Sequence, residues 1–314
     1  MKIWGKSCMT GTDFDELLKK STPDIIHICT PPKTHATMTI KALEAGCHVL
    51  LEKPMATSIE DAERILETRN KSKRMLCMMH NHLFDPPVLQ VRRLVESGIL
   101  GDLLYGEGRY FLDTDKMIEE NMDRPEHWVH SLNSSIAGEY TPHTIYLLQS
   151  FFGPAKELQV MYDAAGSSGK AELQHESFAI QIRFAKALGR ILMIDRMPYG
   201  HFSIDLYGTH AAVYINMMDL TYRIERIRTG MPLAAARMGS TVEQSLQGLW
   251  QTFGNALKII TGRLKRRPGH RALIQSLYQS IHLGTAVPVP GEEGRDTVRT
   301  IGMLDNAIAA VKSL

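Results

Sequence analysis

Between Asp24 and Met79 the sequence alternates three short apolar runs with two helical stretches, and that alternation leaves the chain few folds to choose from. The runs Asp24 to Cys29, Cys47 to Leu51 and Arg74 to Met79 read as buried strands. Thr34 to Ala45 reads as a helix closed by Gly46, and Ser58 opens a second helix that runs to Lys71. Glu60 and Asp61 favour the positive end of that second helix. Strands joined by one helix each pair in parallel through right-handed crossovers, so the spacing predicts a doubly wound α/β sheet. In such a sheet, ligands sit beyond the carboxyl ends of the strands. The strand ending at Leu51 runs into Glu52-Lys53-Pro54, where proline ends the pairing and leaves a carboxylate and an ammonium at that edge. The preceding strand runs into Thr30-Pro31-Pro32, so both loops open on the same side.

The pattern changes near residue 100. After a helix from Pro87 to Ser97 and the turn Gly98-Ile99-Leu100-Gly101, strand-like segments follow one another without long helices between them. They are Leu103 to Phe111, Glu157 to Tyr162, Ser177 to Arg183, Arg190 to Met197 and His201 to Tyr207. This order predicts an α+β domain with a mostly antiparallel open sheet, followed by a largely helical stretch over 231–282. Two domains are expected, residues 1–100 holding an incomplete Rossmann-like sheet and residues 101–314 forming the second. A net charge of +2 with no basic stripe argues against a nucleic-acid partner. Of the four cysteines, Cys8, Cys29, Cys47 and Cys77, three lie in strand-like runs and none has metal-type spacing. Reduced thiols, no apolar run of membrane-spanning length and no signal-peptide pattern point to a soluble cytoplasmic protein.

Thr30-Pro31-Pro32-x-x-His35, Ala45-Gly46-x-His48-Val49-Leu50-x-Glu52-Lys53-Pro54 and Asn81 after the third strand form a combination with a strong likeness. Phe84-x-Pro86, Tyr140-Thr141-Pro142-His143-x-x-Tyr146, Tyr207-Gly208-Thr209, Gly269-His270 and Gly291-Glu292-Glu293-Gly294 follow in order. Together they resemble the glucose–fructose oxidoreductase, inositol dehydrogenase and rhizopine-catabolism family (Gfo/Idh/MocA) over nearly the whole chain. The resemblance implies an oxidoreductase that moves a hydride between NAD or NADP and a hydroxyl or keto carbon of a sugar, polyol or related compound. It maps the catalytic lysine onto Lys53 and the catalytic histidine onto His143, with Glu139 at the position where the family usually has aspartate. Lys53 would bind or polarise the substrate oxygen, and His143 would relay the proton near neutral pH. Cofactor contacts are implied at Thr30, Pro31, His35, Glu52, Lys53 and Asn81, although on its own His35 also reads as a helix-start residue. The resemblance further implies a homo-oligomer paired through the second-domain sheet.

The sequence departs from the family in three places. Glu139 is longer than aspartate by a methylene. Ser134-Ser135 stands where the family has paired glycines, which take positive φ more cheaply. No Gly-x-Gly-x-x-Gly is found among these 314 residues: Gly5 and Gly11 do not fit, and Gly106-x-Gly108 lacks a third glycine. The resemblance places the start of this chain near the family's third strand, so the expected sheet is incomplete, with an exposed hydrophobic edge. A cofactor-free sugar-binding or regulatory homologue is therefore the alternative reading. No metal site is expected, because His80-x-His82 and His127-x-x-His130 lack a third ligand by spacing. Leu246, Leu249, Trp250, Phe253, Leu257 and Ile260 recur with helical spacing ahead of Arg263, Lys265, Arg266 and Arg267. That stripe reads as core or a subunit interface ahead of a membrane-surface helix.

Overall fold

The computed structural model describes residues 2–3, 6–7, 9–113, 135–168, 173–228, 230–262 and 267–313. Cys8, His127, His130, Ser134, Arg263, Lys265 and Arg266 lie outside the described residues. The chain forms two compact units, one of Met1–His80 with Ile274–Arg299 and one of Asn81–Leu273 with Thr300–Leu314.

The first unit opens with the two-residue strands β1 (Lys2–Ile3) and β2 (Lys6–Ser7), paired antiparallel. Helix α1 (Phe14–Ser21) follows, capped by the Asp13 carboxylate, which accepts from the Glu16 N–H at 2.9 Å. Then β3 (Ile25–Ile28), α2 (His35–Glu44), β4 (His48–Leu51), α3 (Ile59–Ser72) and β5 (Leu76–Met78) alternate. The three strands form a parallel sheet in the order β3-β4-β5, the Rossmann-like arrangement that the alternation predicts. Ser58 caps α3 through its hydroxyl, as its sequence position predicts. Val49, Leu50, Leu51, Leu76, Cys77 and Met78 are buried, so β4 and β5 form the unit's core. At the β5 edge the returning chain pairs with the sheet: the Met78 N–H donates to the Val289 carbonyl at 3.0 Å. At the β3 edge Ile25 and Ile26 are half-buried and His27 is exposed. Burial pushes the Cys77 thiol up to about 12, so it stays protonated at physiological pH.

The second unit opens with α4 (Pro86–Glu96) and β6 (Leu103–Phe111), the latter with the bounds the sequence predicts. Helix α5 (Ser135–Phe152) leads to β7 (Ala155–Ser168), β8 (Leu173–Phe184), β9 (Leu188–Ile194), β10 (His201–Gly208), β11 (Ala211–Asn216) and β12 (Thr221–Arg226). Helices α6 (Leu233–Ile260), α7 (Pro268–Leu283) and α8 (Gly291–Lys312) complete the chain. The seven strands lie in the order β12-β11-β10-β6-β9-β8-β7. All pairs are antiparallel except β6 with β9, which run parallel from Tyr105↔Leu188 to Phe111↔Ile194. Helix α5 lies against one face, and Gly106 and Gly108 of β6 are what admit it. A Cβ at Gly106 would strike the Phe152 ring, and one at Gly108 would strike the Thr144 methyl. That pair of glycines is a helix seat, which explains its lack of a third member. No helix among the described residues is long and apolar enough to cross a membrane.

His80 follows β5 and is 1% exposed, and burial holds its imidazole down to about 3, against 6.5 for the free group. The folded chain thus keeps His80 neutral while the unfolded chain takes up a proton below pH 6.5. Stability should therefore fall as pH drops from 6.5 toward 3, by about 1.4 kcal/mol per pH unit for this one proton. Thermal melts from pH 7 to pH 4 should show that slope, and His80→Leu should flatten it. Equal slopes in the two proteins would refute the assignment.

Candidate active site

In the first unit, five of the residues singled out from the sequence gather at the carboxyl ends of β3 and β4. The parallel register pairs Ile28 with Leu51, and the Glu52 N–H donates to the Ile28 carbonyl at 3.0 Å, so the two loops leave the sheet side by side. His35, at the first turn of α2, is 1% exposed and joins them. Its Nδ1 lies 2.7 Å from the Pro54 carbonyl oxygen and its Nε2 lies 2.8 Å from the Thr30 carbonyl oxygen. Both partners are acceptors, so both bonds form fully only when both ring nitrogens carry hydrogen. The ring is a brace between the Thr30 and Lys53 loops, and the Lys53–Pro54 peptide it supports is cis. Around it Thr30 Oγ1 lies 2.7 Å from Thr34 Oγ1, and the Lys53 N–H donates to Glu52 Oε2 at 3.2 Å. Thr30, Glu52 and Lys53 are half-buried and Pro31 is exposed. The Cys29 thiol is pushed up, first by burial and then by the Glu52 carboxylate. A half-buried carboxylate and hydroxyl at the carboxyl edge of paired parallel strands fit the ribose and nicotinamide end of a dinucleotide.

In the second unit, Asn81, Glu139 and His143 stand with His82, Asp85 and Tyr146, to which the sequence pattern assigns no catalytic role. Asn81 is buried at the start of the turn Asn81–Phe84. The next residue, His82, donates its main-chain N–H to Tyr146 Oη at 3.2 Å, and the same hydroxyl lies 2.9 Å from His143 Nδ1. His82 Nδ1 lies 2.6 Å from Asp85 Oδ2, while Asp85 Oδ1 accepts from the Gly269 N–H at 3.1 Å. The His82 and His143 rings meet edge to face at 4.8 Å, and His82 packs against Phe202 at 5.2 Å. Tyr140 lies 6.4 Å from the His143 ring and 5.4 Å from Tyr110. Burial pushes the Tyr110 and Tyr140 hydroxyls up, and the Glu139 charge adds to the effect at Tyr140. Glu139 is half-buried, one helical turn before His143. The unit thus offers an imidazole held by a tyrosine, a second imidazole oriented by a carboxylate, and a wall of rings.

His82, Asp85 and Tyr146 carried a faint local signal. Asp85 is three residues after His82 and Tyr146 three after His143, the spacing of neighbours on one helical turn. From its spacing in His80-x-His82, His82 reads only as a candidate metal ligand. Among the described residues no group of three or more His, Cys, Asp or Glu side chains is placed to hold a metal ion. A cavity of about 1010 Å³ opens elsewhere, at the amino ends of β3 and β4 beside Asp24, Cys47 and Arg74.

Residues 6–80 match the model of an oxidoreductase family with an NAD-binding Rossmann fold, Gfo/Idh/MocA, and residues 88–214 match that family's C-terminal domain. Over 121 residues, 38% of this chain, the sequence is 32% identical to the alpha-N-acetylgalactosaminidase of Shewanella oneidensis. Over the same length it is 31% identical to a glycosyl hydrolase family 109 protein of Shewanella baltica. The matched stretch spans 26% of the length of each relative. Levoglucosan dehydrogenase, solved with NADH and levoglucosan, shares the fold at a TM-score of 0.74 and 14% identity, covering 96% of this chain and 82% of that one. The WlbA dehydrogenase from Bordetella pertussis, solved with NADH and UDP-GlcNAcA, shares it at 0.70 and 17%, covering 95% and 80%. The chain belongs to the Gfo/Idh/MocA oxidoreductase family.

Gly269 explains why Asp85 can hold His82. A Cβ there would strike the Asn81 carbonyl oxygen and Asp85 Oδ1. Gly269→Ala is expected to cost about 1–3 kcal/mol in denaturant unfolding. It should also shift the His82 imidazole resonances in an NMR spectrum. A spectrum identical to wild type would mean that Asp85 is not seated by this contact.

Proposed function

We propose that this member of the Gfo/Idh/MocA family transfers a hydride between NAD or NADP and a hydroxyl or keto carbon of a sugar, polyol or related compound. The observation that carries the reading is the placement of Glu52-Lys53-Pro54 beside Thr30-Pro31 at the carboxyl edge of one parallel strand pair. When bound, the nicotinamide ring supplies the hydride acceptor or donor. Thr30, Pro31 and Glu52 hold its ribose end, with His35 bracing their loops, and Asn81 contributes toward the reacting end. Lys53 binds and polarises the substrate oxygen. His143 takes or returns the proton of the reacting hydroxyl, steadied by Tyr146, with Glu139 in the carboxylate position. The rings of Tyr140, Tyr110 and His82 provide apolar surface suited to the C–H face of a sugar. The sugar ligands of the two solved dehydrogenases support that substrate class.

Family membership favours the enzyme over a cofactor-free binding protein. The free thiols of Cys29, Cys47 and Cys77 support a reducing, cytoplasmic setting. The solvent-facing side of the second unit's sheet is read as a pairing surface between copies. The curated relatives carry a second reading, glycoside cleavage, through the name of the Shewanella oneidensis enzyme.

Calorimetric titration with NAD(H) and NADP(H) is expected to show micromolar binding of one of them. A panel of sugars and nitrophenyl glycosides then separates the readings: reduced cofactor should accumulate in the first, nitrophenol without net reduction in the second. Lys53→Met and His143→Ala should each lower kcat/KM by about 10²- to 10⁴-fold. Full activity in either variant, or no cofactor binding by the wild-type chain, would defeat the proposal.

A further inference from the structure

Helix α6 turns its apolar side outward. Val242, Leu246, Leu249, Phe253 and Ile260 recur at alternating steps of three and four, with the small residues Gly239 and Ala256 completing the series. Leu249 is 70% exposed, Phe253 71% and Ile260 82%, and the adjacent Trp250 is 80% exposed. A strict three-four repeat is the seam one helix presents to another, knobs into holes. The stripe that reads from sequence as core or a subunit interface is surface among the described residues.

The orientation is fixed from the other side. Gln251 Oε1 accepts from the Tyr222 N–H at 2.8 Å, and its Nε2 donates to the Tyr222 carbonyl at 2.6 Å. One turn earlier, Gln247 Oε1 accepts from the Ile224 N–H at 2.8 Å, and its Nε2 reaches the Ile224 carbonyl at 3.5 Å. The Asn255 amide donates to the Asp219 and Leu220 carbonyls at 3.1 and 3.0 Å. These amides satisfy the edge of β12 as a further strand would. Rotating α6 to bury its apolar side on its own sheet would break them all.

We infer that the outward face of α6 pairs antiparallel with α6 of a second copy of this chain. The helix has 28 residues, so its seam is about 42 Å long. Its exposed side chains present on the order of 1,000 Å². That exceeds the roughly 300–600 Å² of the largest patch on a typical monomer and meets the roughly 800 Å² per partner of a stable interface. The face is self-complementary, as a two-fold contact requires. Arg237, Glu243 and Lys258 are the charges on the helix. A parallel pair would align the two helix dipoles, whereas an antiparallel pair opposes them. Glu243 is engaged within its own copy by Arg226 and Arg228. A helix lying on a bilayer instead carries a Lys/Arg-rich polar face. Gln, Asn, Ser and Thr make up most of the polar face of α6, with two cations, Arg237 and Lys258, and the amides of Gln247, Gln251 and Asn255 are committed to β12 and the turn before it.

Light scattering of the wild-type chain at 50 µM should give a mass that Leu246→Glu/Phe253→Glu halves, with an unchanged circular-dichroism melt. If copies also pair through the sheet, the mass falls from four chains to two; if not, from two to one. A blue-shifted tryptophan emission that Trp250→Phe removes should accompany the larger species. A wild-type mass of one chain, or a mass the double substitution leaves unchanged, overturns the inference. So does a monomer that sediments with phosphatidylglycerol vesicles and loses that binding in the double variant, because the face would then be a membrane surface.

Discussion

One imidazole holds together the two loops that leave the carboxyl ends of β3 and β4 in the first unit. The parallel pairing of β3 and β4 brings Thr30 and Lys53 to the same sheet edge, but short loops after strands are free to splay. His35 removes that freedom by bonding a carbonyl in each loop, from a buried position on the helix between the two strands. Both partners are main-chain carbonyl oxygens, so the ring spans the loops through their backbone and not through their side chains. A lysine or glutamine could reach one carbonyl and would leave the other buried and unmet, at roughly 1–3 kcal/mol. The histidine of the Thr-Pro-Pro-x-x-His motif thus acts through the backbone of its neighbours.

The second unit positions its side chains by backbone approach. Gly106 and Gly108 let α5 settle on β6 through Phe152 and Thr144, and Thr144 is the residue after His143. Gly269 lets α7 come close enough to donate its N–H to Asp85, and Asp85 then fixes His82 against the His143 ring. Each imidazole is therefore placed by a glycine elsewhere in the chain, one on a strand and one on a helix. This is why the glycines look irregular in sequence: they mark packing contacts, and no phosphate loop.

The parts legible in the sequence are those whose causes are local. The Lys53 strand could be read because its apolar run and terminating proline are adjacent. Ser58 could be read as a cap because its partner, Asp61, lies three residues on. β12 could not, because Thr221–Arg226 buries only Ile224 and its edge is satisfied by glutamines 23 and 29 residues away. α5 was hidden by Pro142 in its interior, which local propensity counts against a helix. His82 was weighed against a metal site, yet its partners are a carboxylate on its own turn and a ring 61 residues on, at His143. The paired rings have no pattern in sequence because they depend on where β6 sends α5.

The orientation of α6 sets two forces against each other, and their sizes decide what the helix requires. Glutamine and asparagine amides on β12 contribute about 1 kcal/mol per hydrogen bond, so the clamp holds the helix by several kcal/mol. Leaving on the order of 1,000 Å² of apolar surface in water costs about 25 kcal/mol at 25 cal/mol per Å². Even a third of that figure exceeds what the clamp returns. An isolated chain could recover the difference only by turning the helix over, which would strip the β12 edge and expose it to other strands. Covering the seam from outside satisfies both demands, because the edge keeps its amides while the apolar side chains leave water. The polar-inward helix is therefore stable as one half of a contact, and the inferred second half is the same face of another copy.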